Sequence, residues 1–447
     1  MRQNFKDKRF TVMGLDADGR GLRDARYLLE NGAEVIGTDL RQSVDLSEAV
    51  ELAEIFSNFK LVLGEHRLKD FTDRDFIIRA ALAPLDSSYL AHARAYGVPV
   101  VSDETLFLLN APKIKTIGVT GTRGKTTVTH LMREILKAAK RRACIGGNVQ
   151  GTALLPLLAT VREGDTIVME LDSWKLQSFA ENKISPEIAI FTTFFPDHLN
   201  YYKGDRERYW EDKTAIFKNQ KAKDILIVSQ QVADLMKKLN AETSTGKIIV
   251  APKIPSDWQL KLLGEHNRDN ASLALAAARV LGIRDEVSKG AIANFGGVPG
   301  RLEHLGNKGG VDYYNDTAAT SPEGVMVALA ALNRPGRIIL LAGGADKGLD
   351  FGELVSLFGK NLKALVLFRG DASDKILREL ETKNEKFGII SDIGSMEAAF
   401  KVAREIAKRG DTVLLSPGAA SFGIFKNEYD RGDQFRKLVK TIEVGLQ

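Results

Sequence analysis

The chain has 447 residues, and at about 150 residues per domain that length suggests roughly three domains. Its 63 Lys and Arg stand against 58 Asp and Glu, a net charge of +5. Both signs are mixed along the chain, so beyond short clusters such as 137–142, which falls at an expected helix end, the excess forms no basic patch or stripe of the kind that binds nucleic acid. A single cysteine, Cys144, excludes an intramolecular disulfide framework and a Cys-rich zinc site.

The first residues, 1–9, are too polar for a secretory signal. The most apolar long stretch, around 271–283, carries Arg279 and is too short to span a bilayer. A cytoplasmic protein without membrane insertion is therefore expected. Short β-branched runs then alternate with helical patterns almost throughout, which predicts an α/β architecture with mostly parallel sheets. Residues 10–13 read as a strand, Gly14 to Gly21 as a glycine turn, the stretch to Leu29 as a helix, and 33–38 as a second strand tipped by Asp39. That order suits a nucleotide-binding βαβ unit. The glycine spacing departs from G-x-G-x-x-G, so an ordinary α/β turn is an equal alternative.

A strand at 75–78, a helix near 89–96 and a strand at 98–101 follow, and the segment 110–113 reads as a linker. The predicted domains are 1–111, 112–298 and 299–447, the last boundary falling in the glycine-rich stretch 295–300. The third block repeats the alternation with strands at 337–342, 364–368 and 412–415.

The strongest local signal is TIGVTGTRGKTT at 116–127. A strand runs into a glycine turn, and Lys125 and Thr126 open a helix. Glycines let backbone N–H groups converge on a phosphate, and the helix N-terminus adds its dipole. Lys125 would reach the β- and γ-phosphates and the Thr126 hydroxyl would bind Mg²⁺. Some 45 residues on, the strand 165–172 ends in Glu170 and Asp172, where a nucleotide-bound metal would need oxygen ligands. Glu170 is the better candidate, with Asp172 expected on the same strand face further out. His198 follows another strand of the same expected sheet and could reach the same crevice. Lys213 falls on an amphipathic helix near 209–217, where a lysine is ordinarily a surface cation. Asn267 stands near the start of an Ala/Leu-rich helix, and capping is its simplest reading. The segments 314–321, 340–348 and 414–421 are strand-to-loop transitions, where open α/β sheets bind ligands.

Taken together, these landmarks resemble the Mur ligase family across essentially the whole chain. The carriers are 120–127, 146–148, 170–174, 196–198, 264–267, 301–303, 315–317, 343–347, 414–417, and 425–427 with Arg431 and Gly432. The phosphate loop lacking its first glycine is the family's own form. The resemblance implies a Rossmann-like N-terminal domain for the UDP-sugar, a central P-loop ATPase domain and a Rossmann-like C-terminal domain for the amino acid.

It also implies the reaction of the D-glutamate-adding branch, with ATP and Mg²⁺. The alanine carboxylate of UDP-N-acetylmuramoyl-L-alanine is phosphorylated, and the amine of D-glutamate attacks the acyl phosphate. A monomer is expected. By the resemblance, Gly121, Thr122, Arg123, Gly124, Lys125, Thr126, Thr127, Asn267, Arg301 and Asp316 bind ATP. Thr126 and Glu170 bind one Mg²⁺; His198, with Lys213 once carbamylated, holds the second. Lys125, His198 and Lys213 carry the catalysis. Asn148 contacts the muramoyl substrate, Thr320, Lys347 and Ser421 recognise the D-glutamate carboxylates, and Phe425 lines that region.

The chain departs from the family pattern at four places. Ala80-Ala81-Leu82 stands for Ser-Pro-Gly in the first domain, Asp172 for a serine, Ala318 for a lysine and Glu428 for an aromatic. The ATPase core matches while both substrate ends are altered. A family relative adding another amino acid, or a silent ATP-binding homologue, are the alternative readings.

Overall fold

The computed structural model describes residues 5–15, 20–42, 46–80, 83–84, 86–149, 153–197, 201–241, 243, 246–381 and 387–442. His198, Ala81 and Leu82 lie outside them. The chain divides into two compact units, one of Met1–Trp258 with Arg268–Ala293, the other of Gln259–Asn267 with Asn294–Gln447.

The first unit holds two sheets. One contains β1 (Arg9–Met13), β2 (Glu34–Asp39), β3 (Phe59–Leu63), β4 (Phe76–Arg79) and β5 (Val100–Val101). All its pairs are parallel and the order is β3-β2-β1-β4-β5, a doubly wound sheet whose direction reverses between β1 and β4. The helix Arg20–Glu30 comes so close to β1 that a Cβ on Gly21 would collide with the Gly14 carbonyl. Glycine is thus required for close helix–strand approach despite the loose motif, and the reading as an ordinary turn gives way to a Rossmann-like unit. Asp39 at the tip of β2 accepts from Leu15 N at 2.9 Å and pairs with Arg41 at 2.8 Å. Although burial works against its charged form, these donors hold its carboxyl down at about 2.

The second sheet contains β6 (Lys115–Thr120), β7 (Ala143–Gly147), β8 (Thr166–Glu170), β9 (Ile188–Phe191), β10 (Ile225–Val228) and β11 (Lys247–Val250). It is wholly parallel, in the order β11-β10-β9-β6-β8-β7. Runs such as Ile188–Phe191 are buried at every position, as expected of strands covered on both faces. The basic cluster 137–142 sits at the end of the helix Lys125–Ala138, where cations complement the helix dipole.

The second unit carries β12 (Glu303–Lys308), β13 (Val311–Asn315), β14 (Ile338–Gly343), β15 (Leu362–Phe368), β16 (Gly388–Ile393) and β17 (Thr412–Leu415). The order is β12-β13-β17-β14-β15-β16, and only the β12–β13 pair is antiparallel. Of that hairpin only the second strand, ending near 314, was expected above; the hairpin is closed by Gly309 and Gly310, both at positive φ (61° and 82°). Two residues in that conformation make the tight turn whose twist matches the flanking strands. Among the described residues, no helix is long and apolar enough to cross a membrane.

Candidate active site

In the second sheet the strand order reverses at β6, and the loop 121–124 leaves its carboxyl end there. Gly121 (φ 141°) and Gly124 (φ 89°) both occupy backbone conformations that side chains rarely adopt. A Cβ on Gly121 would strike the Thr192 hydroxyl and the Thr193 backbone; one on Gly124 would strike the Asn270 amide oxygen. The loop is clasped by the segment leaving β9. Thr122 N donates to Thr193 O at 2.7 Å, Arg123 N to Thr193 Oγ1 at 2.9 Å, and Phe195 N to Thr122 Oγ1 at 2.9 Å. The helix Lys125–Ala138 then begins, with Thr126 and Thr127 in its partly exposed first turn.

Lys125 curls over this loop, its Nζ donating to Gly121 O at 2.9 Å and Thr122 O at 3.2 Å. Lys213 Nζ reaches the same Gly121 carbonyl at 3.0 Å. Two ammonium groups therefore share one acceptor. The surface cation expected of an ordinary helical lysine is overturned, for Lys213 is only 1% exposed. Asp205 caps its helix, Arg206–Lys218, and Tyr209, Trp210, Ile216 and Phe217 form the apolar stripe that Lys213 interrupts. Burial first, and the charge of Lys125 second, bring its amine down to about 7. Its unprotonated form is thus reached far more readily than that of a surface lysine.

Glu170 closes β8 opposite Val119 of β6 and is 2% exposed. Its carbonyl accepts from Asn148 N at 2.8 Å, which sets Asn148, exposed, beside it. Asp172 does not extend the strand face as expected. β8 ends at Glu170, and Asp172 caps the helix Ser173–Glu181, accepting from Lys175 N at 2.9 Å. Among the described residues no group of three or more His, Cys, Asp or Glu could cage a metal. Mg²⁺ ordinarily takes one or two carboxylates together with substrate phosphates and waters, so the Glu170 carboxylate and Thr126 hydroxyl suit it as part-ligands.

In the second unit, Asn267 is not a cap. It lies inside the first turn of the helix Glu265–Val280 and donates from Nδ2 to Leu263 O at 2.8 Å. Arg301 is exposed just before β12. Asp316, at the end of β13, accepts from Leu302 N at 2.9 Å and Ser416 Oγ at 2.8 Å. The loops after β13, β14 and β17 are brought together: Gly418 N donates to Ala319 O, Gly343 N to Pro417 O, and Ala345 bridges Ala420. On them Lys347 Nζ donates to Thr320 Oγ1 at 3.0 Å, and Ser421 is buried. Phe425 packs edge-on against Phe368 with centroids 5.3 Å apart, in the core beneath the loop. Arg431 is fully buried under the same loops, donating to Thr317 Oγ1 and O at 3.1 and 3.0 Å. The clasp residues Thr192 and Thr193 were not singled out above; only a Thr pair just past a strand end hinted at them.

Comparison with known proteins adds the following. Residues 119–253 match the Mur ligase middle domain, and residues 300–418 the Mur ligase glutamate ligase domain. The UDP-N-acetylmuramoylalanine–D-glutamate ligase of Roseiflexus sp. (strain RS-1) is 36% identical, the match covering 97% of this chain and 98% of that protein. The ligase of the same name from Alkaliphilus metalliredigens is 33% identical over 98% and 99%. Among solved structures, the UDP-N-acetylmuramate–alanine ligase MurC of Thermotoga maritima superposes with a TM-score of 0.60 at 18% identity, covering 97% of this chain and 100% of that one. The MurF ligase of Thermotoga maritima, solved in complex with ADP, gives 0.59 at 21% identity, covering 98% and 99%.

Proposed function

The chain belongs to the Mur ligase family, and from that premise we propose that it is an ATP-dependent ligase joining D-glutamate to UDP-N-acetylmuramoyl-L-alanine in peptidoglycan precursor synthesis. The amino-acid assignment rests on full-length likeness to ligases of that specificity. The observation that carries the chemistry is the clasped glycine loop with the Lys125 and Lys213 ammonium groups on the Gly121 carbonyl. In this reading residues 1–111 take the UDP-sugar, 112–298 take ATP and 299–447 take the amino acid, in a cytoplasmic, monomeric enzyme.

The obstacle is electrostatic. A carboxylate must attack a γ-phosphate, and the two repel. Lys125 would leave its loop carbonyls for the β- and γ-phosphates as ATP enters, holding charge that develops on the transferred group. Gly121, Thr122, Arg123, Gly124 and Thr127 would line the phosphates, with Asn267, Arg301 and Asp316 on the nucleotide. Mg²⁺ held by Thr126 and Glu170, and a second ion by His198 and Lys213, would neutralise the remaining charge. An unprotonated Lys213 amine can add carbon dioxide with release of one N–H proton to solvent, and the carbamate anion so formed would place an oxygen ligand where the amine stood. Asn148 would meet the muramoyl group. Thr320, Lys347 and Ser421 would orient the D-glutamate carboxylates so that its amine faces the acyl phosphate, with Phe425 supporting their loop.

Phosphate release with ATP, UDP-N-acetylmuramoyl-L-alanine and a panel of amino acids tests this. Turnover with D-glutamate alone is the expected outcome. Turnover with another amino acid would reassign the specificity, and none with any would remove the activity.

A further inference from the structure

One hydrogen-bonded line runs from the first sheet to the helix that carries Lys213. Arg79 ends β4 and is 4% exposed; its guanidinium donates to the carbonyl oxygens Ala83 O at 2.7 Å, Trp174 O at 2.6 Å and Gln177 Oε1 at 3.3 Å, and Tyr201 also bonds it. Gln177, 2% exposed, lies on the helix Ser173–Glu181 and donates through Nε2 to Asp212 Oδ2 at 2.6 Å. The same oxygen accepts the Tyr202 hydroxyl at 2.9 Å. Asp212 immediately precedes Lys213 on the helix Arg206–Lys218.

Successive helical residues are about 100° apart around the axis, so anchoring Asp212 sets the rotation at which Lys213 projects. Among the described residues no carboxylate pairs with Lys213 at ion-pair distance; its Nζ donates to the Gly121 carbonyl and to the Thr120 hydroxyl at 3.4 Å and lies over the Tyr209 ring, 5.5 Å from its centroid. Its placement must therefore come from the helix as a whole. A buried polar network with its members satisfied is stiff, and it specifies one arrangement where apolar packing alone tolerates several. Arg79 ties the far end of that network to the carboxyl edge of the doubly wound sheet, where such sheets bind ligands.

We propose that Arg79, Gln177 and Asp212 are positioning residues that set the rotation of the Lys213 helix and link it to the segment following β4. The inference rests on Lys213 being the functional lysine. Gln177→Met, nearly isosteric, is the main variant in the full-length enzyme, with Lys213→Ala as control and Asp212→Asn and Asp212→Ala as a conservative and a truncating pair.

Gln177→Met and Asp212→Ala are expected to lower kcat for phosphate release by about ten- to a hundredfold, the cost of displacing a group by about 1 Å. The KM for ATP stays within about twofold. Raised bicarbonate should restore part of the loss, and Asp212→Asn, which keeps an acceptor for Gln177, should retain most activity. Wild-type kcat in Gln177→Met would overturn the proposal. So would equal losses in both Asp212 variants without a bicarbonate response, the mark of general structural damage. A fully active Lys213→Ala would instead remove the reading of Lys213 itself.

Discussion

Lys213→Ala is expected to lower the rate of phosphate release by on the order of 10²–10³-fold, and added formate or acetate to return part of it. Lys213 lies on a buried helix face beside Lys125, and both ammonium groups lean on one carbonyl. Its amine titrates at about 7 because burial and a like charge disfavour the cation. A positive charge placed there destabilises the fold. Alanine should thus leave the melting temperature unchanged or higher while activity collapses, which separates chemistry from folding. The sign agrees with linkage. Lys213 is depressed from 10.5 to about 7, so the unfolded chain binds the extra proton between those values and the native state gains stability as pH rises through them. That rise should shrink in the alanine variant. Thermal melts against pH and phosphate-release assays check both halves; full activity without added carboxylate would contradict the role.

Lys175→Met is expected to cost about 3–5 kcal/mol of stability in denaturant unfolding, the cost of taking from buried carboxylates the cation paired with them and leaving them only the nearby charge of Arg20. Lys175 is 3% exposed, lies 3.0 Å from Asp103 Oδ1 and pairs with Glu104, which is wholly buried; Asp24 adds a third buried acid from the helix Arg20–Glu30. Burial, and the Asp103 charge after it, push the Glu104 carboxyl from 4.5 up to about 8. The native state then holds a proton that the unfolded chain has released across that window, so this contribution to stability falls as pH rises from about 4.5 to about 8. Glu104→Gln should flatten the dependence, and Lys175→Met combined with Asp103→Asn and Glu104→Gln should recover much of the loss. Unchanged stability in Lys175→Met would show the cluster to be hydrated and energetically idle.

What could be read from the residues in order was what is local. Strand, glycine turn and Lys125 stand within twelve residues, and their conformation follows from glycines that alone fit the backbone at 121 and 124. The alternating runs likewise revealed parallel α/β sheets. Lys213 was half legible: its place between Tyr209, Trp210 and Phe217 puts it on the apolar stripe, where a lysine is anomalous. The hairpin at Gly309 and Gly310 had its signal in the paired glycines. Asp172 was misplaced because an acid just past a strand can prolong it or cap the next helix, and the backbone turn decides. Asn267 was likewise shifted by a helix that starts two residues earlier. The Thr192 and Thr193 clasp, the Arg79–Gln177–Asp212 line and the Lys175 cluster join residues 30 to 100 positions apart. Such pairings arise from tertiary packing and leave no periodic trace.

The central claim is that ATP activates the alanine carboxylate before the amine attacks. Carrying heavy oxygen in that carboxylate tests it most directly, with D-glutamate as the amino acid and mass analysis of the released phosphate. An acyl phosphate formed by carboxylate attack leaves one carboxylate oxygen on the phosphate when the amide forms, so one heavy oxygen should appear in phosphate for each amide made. Phosphate free of the label while amide accumulates would contradict the account.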